Sequence, residues 1–182
     1  MNPKQKNPMN TQCKTVCASL LLAASICLNA GESPTPKASS PEVDRLKTPV
    51  GTWKGETDMG QGPMEIIVRY RLLAGGSVSE ERVFEGTPNE MVTMYYQKDG
   101  TLAMTHYCMM GNRPAMLLKS SDTKSLHFDF DKSCGIIPAK ESHMHAMKIQ
   151  FQDADTISTS CKAIMEGKEL PEHPTTLKRV KS

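Results

Sequence analysis

The sequence has few aromatic residues and no long apolar run. Phe, Trp and Tyr make up 5% of the 182 residues, and only one of them is tryptophan. A membrane-spanning helix needs about 20 consecutive apolar residues, and the apolar stretch from Val16 to Leu28 is shorter than that. The sequence therefore predicts no stable membrane insertion, and a core in which methionine fills irregular gaps.

Signatures of several function classes are also missing. The chain has no CxxC pair, so a structural zinc ribbon is not indicated. It also lacks a Gly-x-Ser-x-Gly elbow, a phosphate-binding loop and a His-Glu-x-x-His helix. We therefore assign no catalytic activity and no catalytic residue.

Positive charge is not in excess in the part of the chain expected to fold. Without the three lysines of its first thirty residues, the chain has 19 basic and 20 acidic side chains, for a net charge of about −1. Nucleic-acid readers normally carry a basic excess that neutralises phosphates. The charge balance argues against a nucleic-acid partner and leaves a small molecule as the expected one.

The first thirty residues have the pattern of an export signal. Lys4, Lys6 and Lys14 come before the short apolar stretch, and the chain then reaches Ala30, which suits signal-peptidase cleavage. A lipid anchor at Cys27 is the alternative, which the bulky Ile26 disfavours. We predict a signal peptide over 1–30, a Pro/Ser-rich linker over 31–44 and one domain over 45–182, exported to the periplasm or the medium.

Three cysteines remain after that cleavage: Cys108, Cys134 and Cys161. An oxidising compartment allows one disulfide among them, with three possible pairings and one thiol left over.

From Val50 onward, short segments with period-two alternation are separated by turn residues, and no stretch shows sustained helical periodicity. Short connections favour antiparallel neighbours, and closing such a meander removes its exposed edges. We predict an all-β fold, an antiparallel up-and-down β-barrel of about ten strands, with a β-sandwich as the alternative. The predicted strands are 51–58, 64–73, 77–85, 91–98, 101–109, 115–119, 125–131, 142–152, 156–165 and 175–180.

Two features at the chain ends resemble the calycin superfamily, which includes lipocalins and fatty-acid-binding proteins. These are Gly51-Thr52-Trp53 on the first strand and Arg179 on the last. The resemblance implies that Trp53 packs beside Arg179 at the closed end of the barrel. The segment Thr105-His106-Tyr107-Cys108, followed by Gly111-Asn112 and Pro114 and later by His143-Met144-His145, is similar to a family of secreted bacterial calycin-like proteins of unknown function.

Strand parity and direction indicate one candidate site. His106 and Cys108 share a face with Leu102 and Met104 on the fifth strand, and His143 and His145 alternate in phase with Met147 on the eighth. Because odd and even strands run in opposite directions, these residues are expected to converge on the end opposite Trp53. On the third strand, Glu80 and Arg82 form either a polar pair in the cavity or part of a solvated face.

The convergence predicts a metal site. Two histidines two residues apart on one strand are about 6.6 Å apart at the backbone, a spacing from which both rings can reach one metal at about 2.0–2.1 Å. With His106 and Cys108 as further ligands, zinc and copper are the candidate metals. The alternative is an apolar-ligand carrier in which the histidines only bond to neighbours.

The end of the chain suggests a third cofactor. His173-Pro174-Thr175-Thr176-Leu177-Lys178-Arg179-Val180 is similar to the close of the haem-binding nitrobindins. In those ten-stranded barrels a histidine just before the last strand ligates iron, a role that the resemblance carries to His173 alone. The resemblance thus makes haem a third candidate cofactor, beside zinc and copper.

Overall fold

A computed structural model describes residues 39–58, 60 and 62–181 of the chain. The predicted signal peptide and residues 31–38 of the predicted linker lie outside the described residues. Within the described part, no helix is long and apolar enough to cross a membrane.

The described chain is almost entirely strand. One short helix, α1, spans Pro41–Arg45, and two single turns of 3₁₀ helix span Ala74–Gly76 and Lys132–Cys134. The strands are β1 Gly51–Asp58, β2 Pro63–Leu73, β3 Val78–Val83, β4 Met91–Lys98, β5 Thr101–Tyr107, β6 Ala115–Ser121, β7 Ser125–Phe130, β8 His143–Asp153, β9 Thr156–Met165, β10 Lys168–Glu169 and β11 His173–Arg179.

Ten of these strands close into a barrel. Each strand from β1 to β9 pairs antiparallel with the next, β9 pairs with β11, and β11 pairs with β1. The two-residue β10 pairs with the end of β9 and lies outside this ring. The prediction of an up-and-down barrel of about ten strands is confirmed.

Trp53 and Arg179 lie together at one end of the barrel, which we call the closed end. They are paired across β1 and β11, and the Arg179 guanidinium lies 4.3 Å from the centre of the indole ring. The same guanidinium donates to the carbonyl oxygens of Val50 and Thr48, at 2.8 and 3.1 Å. Trp53 is only 1% exposed, so the expected packing of this pair is confirmed.

Helix α1 also packs at the closed end. Ser40 caps it, with its hydroxyl accepting from the backbone of Val43, and Pro41 fits the first turn because its missing N–H is not needed there. Leu46, just after the helix, is buried in the core, and its carbonyl accepts from the Ser79 hydroxyl at 3.1 Å. Residues 41–44, the last part of the predicted linker, are helical.

Candidate functional site

We call the end of the barrel opposite Trp53 the mouth; it includes the β5–β6 loop, the β7–β8 loop and the adjoining strand ends. His106, Cys108, His143 and His145 all lie there. Asn112 connects the β5–β6 loop to the residue that precedes β8, since its Nδ2 donates to the carbonyl of Ser142 at 2.7 Å.

His106 points into the barrel from β5, as its alternation with Leu102 and Met104 predicted. Its Nδ1 is 2.9 Å from the Thr93 hydroxyl on the neighbouring strand β4. Burial lowers the pKa of His106 from 6.5 to about 4, so the ring is neutral at physiological pH. His106 therefore acts in this structure as a hydrogen-bonded interior residue.

The regular alternation expected from His143 to Met147 is interrupted, and His143 is out of phase with Met147 on the β9 side. A β-bulge in β8 between Met144 and Ala146 inserts one residue into the pairing with β9. As a result Met144 lies opposite Ala163 and in line with Met147, while His143 lies opposite Ile164 on the other side of the pleat. The sequence pattern gave no sign of this extra residue.

His143 and His145 nevertheless form one cluster with Phe130. The His143 ring is 0% exposed, with its centre 4.8 Å from that of Phe130, and His145 stacks on Phe130 at 5.1 Å. His143 Nδ1 lies 2.7 Å from the carbonyl oxygen of Glu141, and His143 Nε2 lies 3.0 Å from His145 Nδ1.

These contacts fix the proton positions if both rings are neutral. A carbonyl can only accept, so His143 donates from Nδ1 and accepts at Nε2 from the Nδ1–H of His145. The lone pair of His145 Nε2 is then the one left for a ligand. Burial, together with the neighbouring His143, lowers the pKa of His145.

The four predicted metal ligands do not meet at one point. Among the described residues, no three His, Cys, Asp or Glu side chains are placed to hold a metal ion. His106 bonds to Thr93, and Cys108 lies just beyond β5. The backbone of His173 begins β11, and its side chain lies outside the described part of the structure. Metal and haem binding remain predictions.

The three cysteines that the structure describes form no disulfide. Cys108, Cys134 and Cys161 are all free thiols.

A row of polar side chains crosses the inner face of the barrel. Cross-strand pairing joins Tyr70 to Glu81, Glu81 to Thr93 and Thr93 to His106, over the four strands β2 to β5. All four residues are buried. The row is unusual for a barrel interior because buried acidic side chains normally have an ionic partner.

Glu81 is the centre of this row, and the sequence analysis missed it. Its Oε2 accepts from the hydroxyls of Tyr70 at 2.8 Å and Tyr95 at 2.7 Å, and the residue is 8% exposed. Burial raises the pKa of the Glu81 carboxyl, although both tyrosine hydrogen bonds favour the charged form. Within the described residues, no basic side chain forms an ion pair with it.

Its neighbours Glu80 and Arg82 form the polar pair that the sequence suggested, but on the outer face. Glu80 Oε1 lies 2.6 Å from Arg71 Nη2 and 3.2 Å from Arg82 Nε. Arg82 also pairs with Glu90. Glu80 is thus fully compensated, in contrast to Glu81 on the other face of the same strand.

Cys161 is an inner-face residue that is exposed to solvent. It pairs with Met147 on β8, so it lies on the inner face, yet its side chain is exposed to solvent. Burial by the surrounding walls, and then the charge of Glu81, raise the pKa of the thiol. Cys161 is thus an inner-face thiol that solvent reaches and whose pKa the Glu81 charge affects.

Apolar side chains surround the mouth. Large hydrophobic residues at this end are exposed in the β5–β6 loop, in the β7–β8 loop and near the ends of β2 and β9: Met64, Tyr107, Met109, Met110, Ile137, Met165 and Leu170. Grouped exposed apolar side chains are more informative than scattered ones, and they often border ligand sites.

A separate groove of about 400 Å³ lies on the outer face of β6 to β9. Its lysines are largely paired, Lys119 with Asp129 and Lys162 with Glu169, each at 2.7 Å. We read this groove as a solvated outer face of the barrel.

The fold and site define a class of protein: a closed antiparallel barrel with Trp53 and Arg179 packed together at one end and a buried polar row on its inner face. No protein-family model matches the sequence, and no curated protein matches it. Among solved structures, the chain is similar to Rv2717c from M. tuberculosis, with a TM-score of 0.53 and 14% identity over 79% of this chain and 100% of that one. At this identity the likeness supports the barrel fold alone.

Proposed function

We propose that the protein is an exported, calycin-like binding barrel that holds a small ligand in the upper part of its lumen. The observation that carries this proposal is Cys161, an inner-face residue that solvent nevertheless reaches. The sealed end at Trp53 leaves the mouth as the path for a ligand. The polar row offers hydrogen-bonding groups inside an otherwise apolar wall, which is the usual composition of a small-molecule site.

Two variants test this function, each of which keeps only one of the six cysteines of the chain. If Cys161 is kept, small methanethiosulfonate reagents should modify it in the folded protein. Native mass spectrometry of protein purified without denaturation should show a small-molecule adduct that this modification removes. In the matched chain that keeps only Cys134, modification should leave the adduct in place. A Cys161 that reacts only on unfolding, in protein without any adduct, would end the proposal.

Export is tested separately by the N-terminus of the protein recovered from the periplasm or medium. Cleavage after Ala30 gives a chain beginning at Gly31, whereas a lipid on Cys27 would refute soluble export.

A metal-dependent version of the function is favoured by one observation, the adjacent rings of His143 and His145. A metal at both rings would have to replace the hydrogen bond between them. Stoichiometric zinc or copper that is lost in the double variant His143→Ala/His145→Ala would establish this version. Native protein that contains no metal and cannot be loaded would exclude it, and a Soret band would instead indicate haem.

A further inference from the structure

The charge inside the barrel is unbalanced. Among the described inner-face side chains, Glu81 is the only carboxylate. Arg179 is the only guanidinium on that face, and it is engaged at the closed end by Trp53 and by backbone carbonyls. His106 is neutral and bonds to Thr93. An ionised Glu81 therefore has no cationic partner within the described lumen, and such a charge is costly to bury.

The groups around Glu81 suit a cation. Two phenol groups donate to its Oε2, and the thioether of Met147 lies 3.7 Å from the Tyr95 hydroxyl on the opposite wall. Carboxylate, aromatic and thioether groups all present negative or polarizable electron density. An ammonium group would add charge-assisted hydrogen bonds to the carboxylate and supply the missing countercharge.

We propose that the ligand of the lumen is a small organic ammonium cation whose charge is held by Glu81, with Tyr70 and Tyr95 orienting the carboxylate. This inference rests on the binding function proposed above. The ligand must be small because Tyr95 and Met147 meet across the lumen. The carboxylate lies beside that contact, because the Tyr95 hydroxyl that meets Met147 also donates to Glu81 Oε2.

Calorimetric titration with n-butylammonium chloride tests the proposal, with 1-butanol and butanoate as uncharged and anionic controls of similar size. The cation should bind more tightly than either control. Glu81→Gln should weaken its binding about tenfold or more, because a charge-assisted hydrogen bond is lost. The matched variant Glu80→Gln alters the neighbouring carboxylate, which lies on the outer face, and should leave the affinity unchanged. Equal affinity for butanol and butylammonium, or an unchanged affinity in Glu81→Gln, would overturn the proposal.

A second readout does not depend on the folding of that variant. In the chain that keeps only Cys161, n-butylammonium should slow modification of the thiol, whereas butanoate should not. In the chain that keeps only Cys134, neither should have an effect. If Cys161 is reactive and the purified protein carries an adduct, but the cation gives no protection, the ammonium assignment fails while the binding function stands. An unreactive Cys161 in protein without an adduct would contradict both the binding function and the ammonium assignment.

Discussion

At the scale of single residues, Glu81 shows that alternation alone could not decide which face of β3 points into the barrel. Val78, Glu80, Arg82 and Phe84 are in phase, and this pattern allowed Glu80 and Arg82 to lie either in the cavity or on a solvated face. In the structure β3 ends at Val83, and Phe84 has a positive φ of 53°, so Phe84 is not part of the alternating strand. Ser79 and Glu81 take the inner face instead. The tyrosines that bond to Glu81 come from β2 and β4, a tertiary contact that no local pattern reveals.

Replacing Glu81 by Gln should change how stability depends on pH. Burial raises the pKa of Glu81 in the folded state, so the folded protein holds this proton more tightly than the unfolded chain. The contribution of Glu81 to folding stability is therefore greatest below the unfolded pKa of about 4.3. It is lost as the pH rises through the pKa of Glu81 in the folded protein. Urea unfolding from pH 4 to 8 should show Glu81→Gln gaining stability relative to the wild type as the pH rises. Parallel curves for the two proteins would contradict this.

His106 should give stability the opposite pH dependence, with a loss as the pH falls. Its folded pKa of about 4 lies below the ordinary 6.5, so the neutral ring stabilises the fold at neutral pH and this stability is lost as the pH falls from 6.5 towards 4. The loss can reach about 3 kcal/mol. His106→Asn removes the titration and keeps a side chain that can bond to Thr93. Its unfolding free energy should fall less between pH 6.5 and 4 than that of the wild type, and an equal fall would place the acid sensitivity elsewhere.

At the scale of elements, strand alternation predicted the barrel well because each strand has one buried face. It failed where an element departs from regular pairing. The bulge in β8 moves Met144 into line with Met147, and the sequence His143-Met144-His145-Ala146-Met147 reads equally well in either phase. Helix α1 is too short to show helical periodicity, and only its Ser40 cap and Pro41 hint at it.

Leu46 should contribute strongly to the stability of the fold through its packing at the closed end. It is 1% exposed and belongs to the barrel core, although it precedes the first strand. Leu46→Ala should lower the free energy of unfolding by about 2–5 kcal/mol, because a buried leucine leaves a cavity when it is truncated. Val50→Ala, at a position that is 42% exposed, is the control and should change stability by less than about 0.5 kcal/mol. Chemical denaturation measures both, and equal small effects would show that α1 and Leu46 do not pack as described.

At the scale of the whole molecule, closure of the sheet means that no half of the barrel has a complete set of strand partners by itself. Resemblance at the two chain ends anticipated this, because Trp53 and Arg179 lie 126 residues apart and yet are paired across the seam of β1 and β11. The ligand site was less predictable. The proposed site depends on which charged side chains of the inner face lack a partner of opposite charge. That can be determined only when the pairing of all the strands is known.

The seam gives a test of cooperativity. Trp53 is the only tryptophan in the chain, so intrinsic fluorescence reports on the closed end, whereas far-ultraviolet circular dichroism reports on all the strands. Since separating β1 from β11 leaves two open edges and exposes the shared core, both signals should change at the same denaturant concentration, as expected for a two-state domain. Reactivity of Cys161 would add a third probe near the mouth. A fluorescence transition that precedes the loss of strand signal would mean that the closed end opens independently, and Trp53 would then not be part of a single cooperative core.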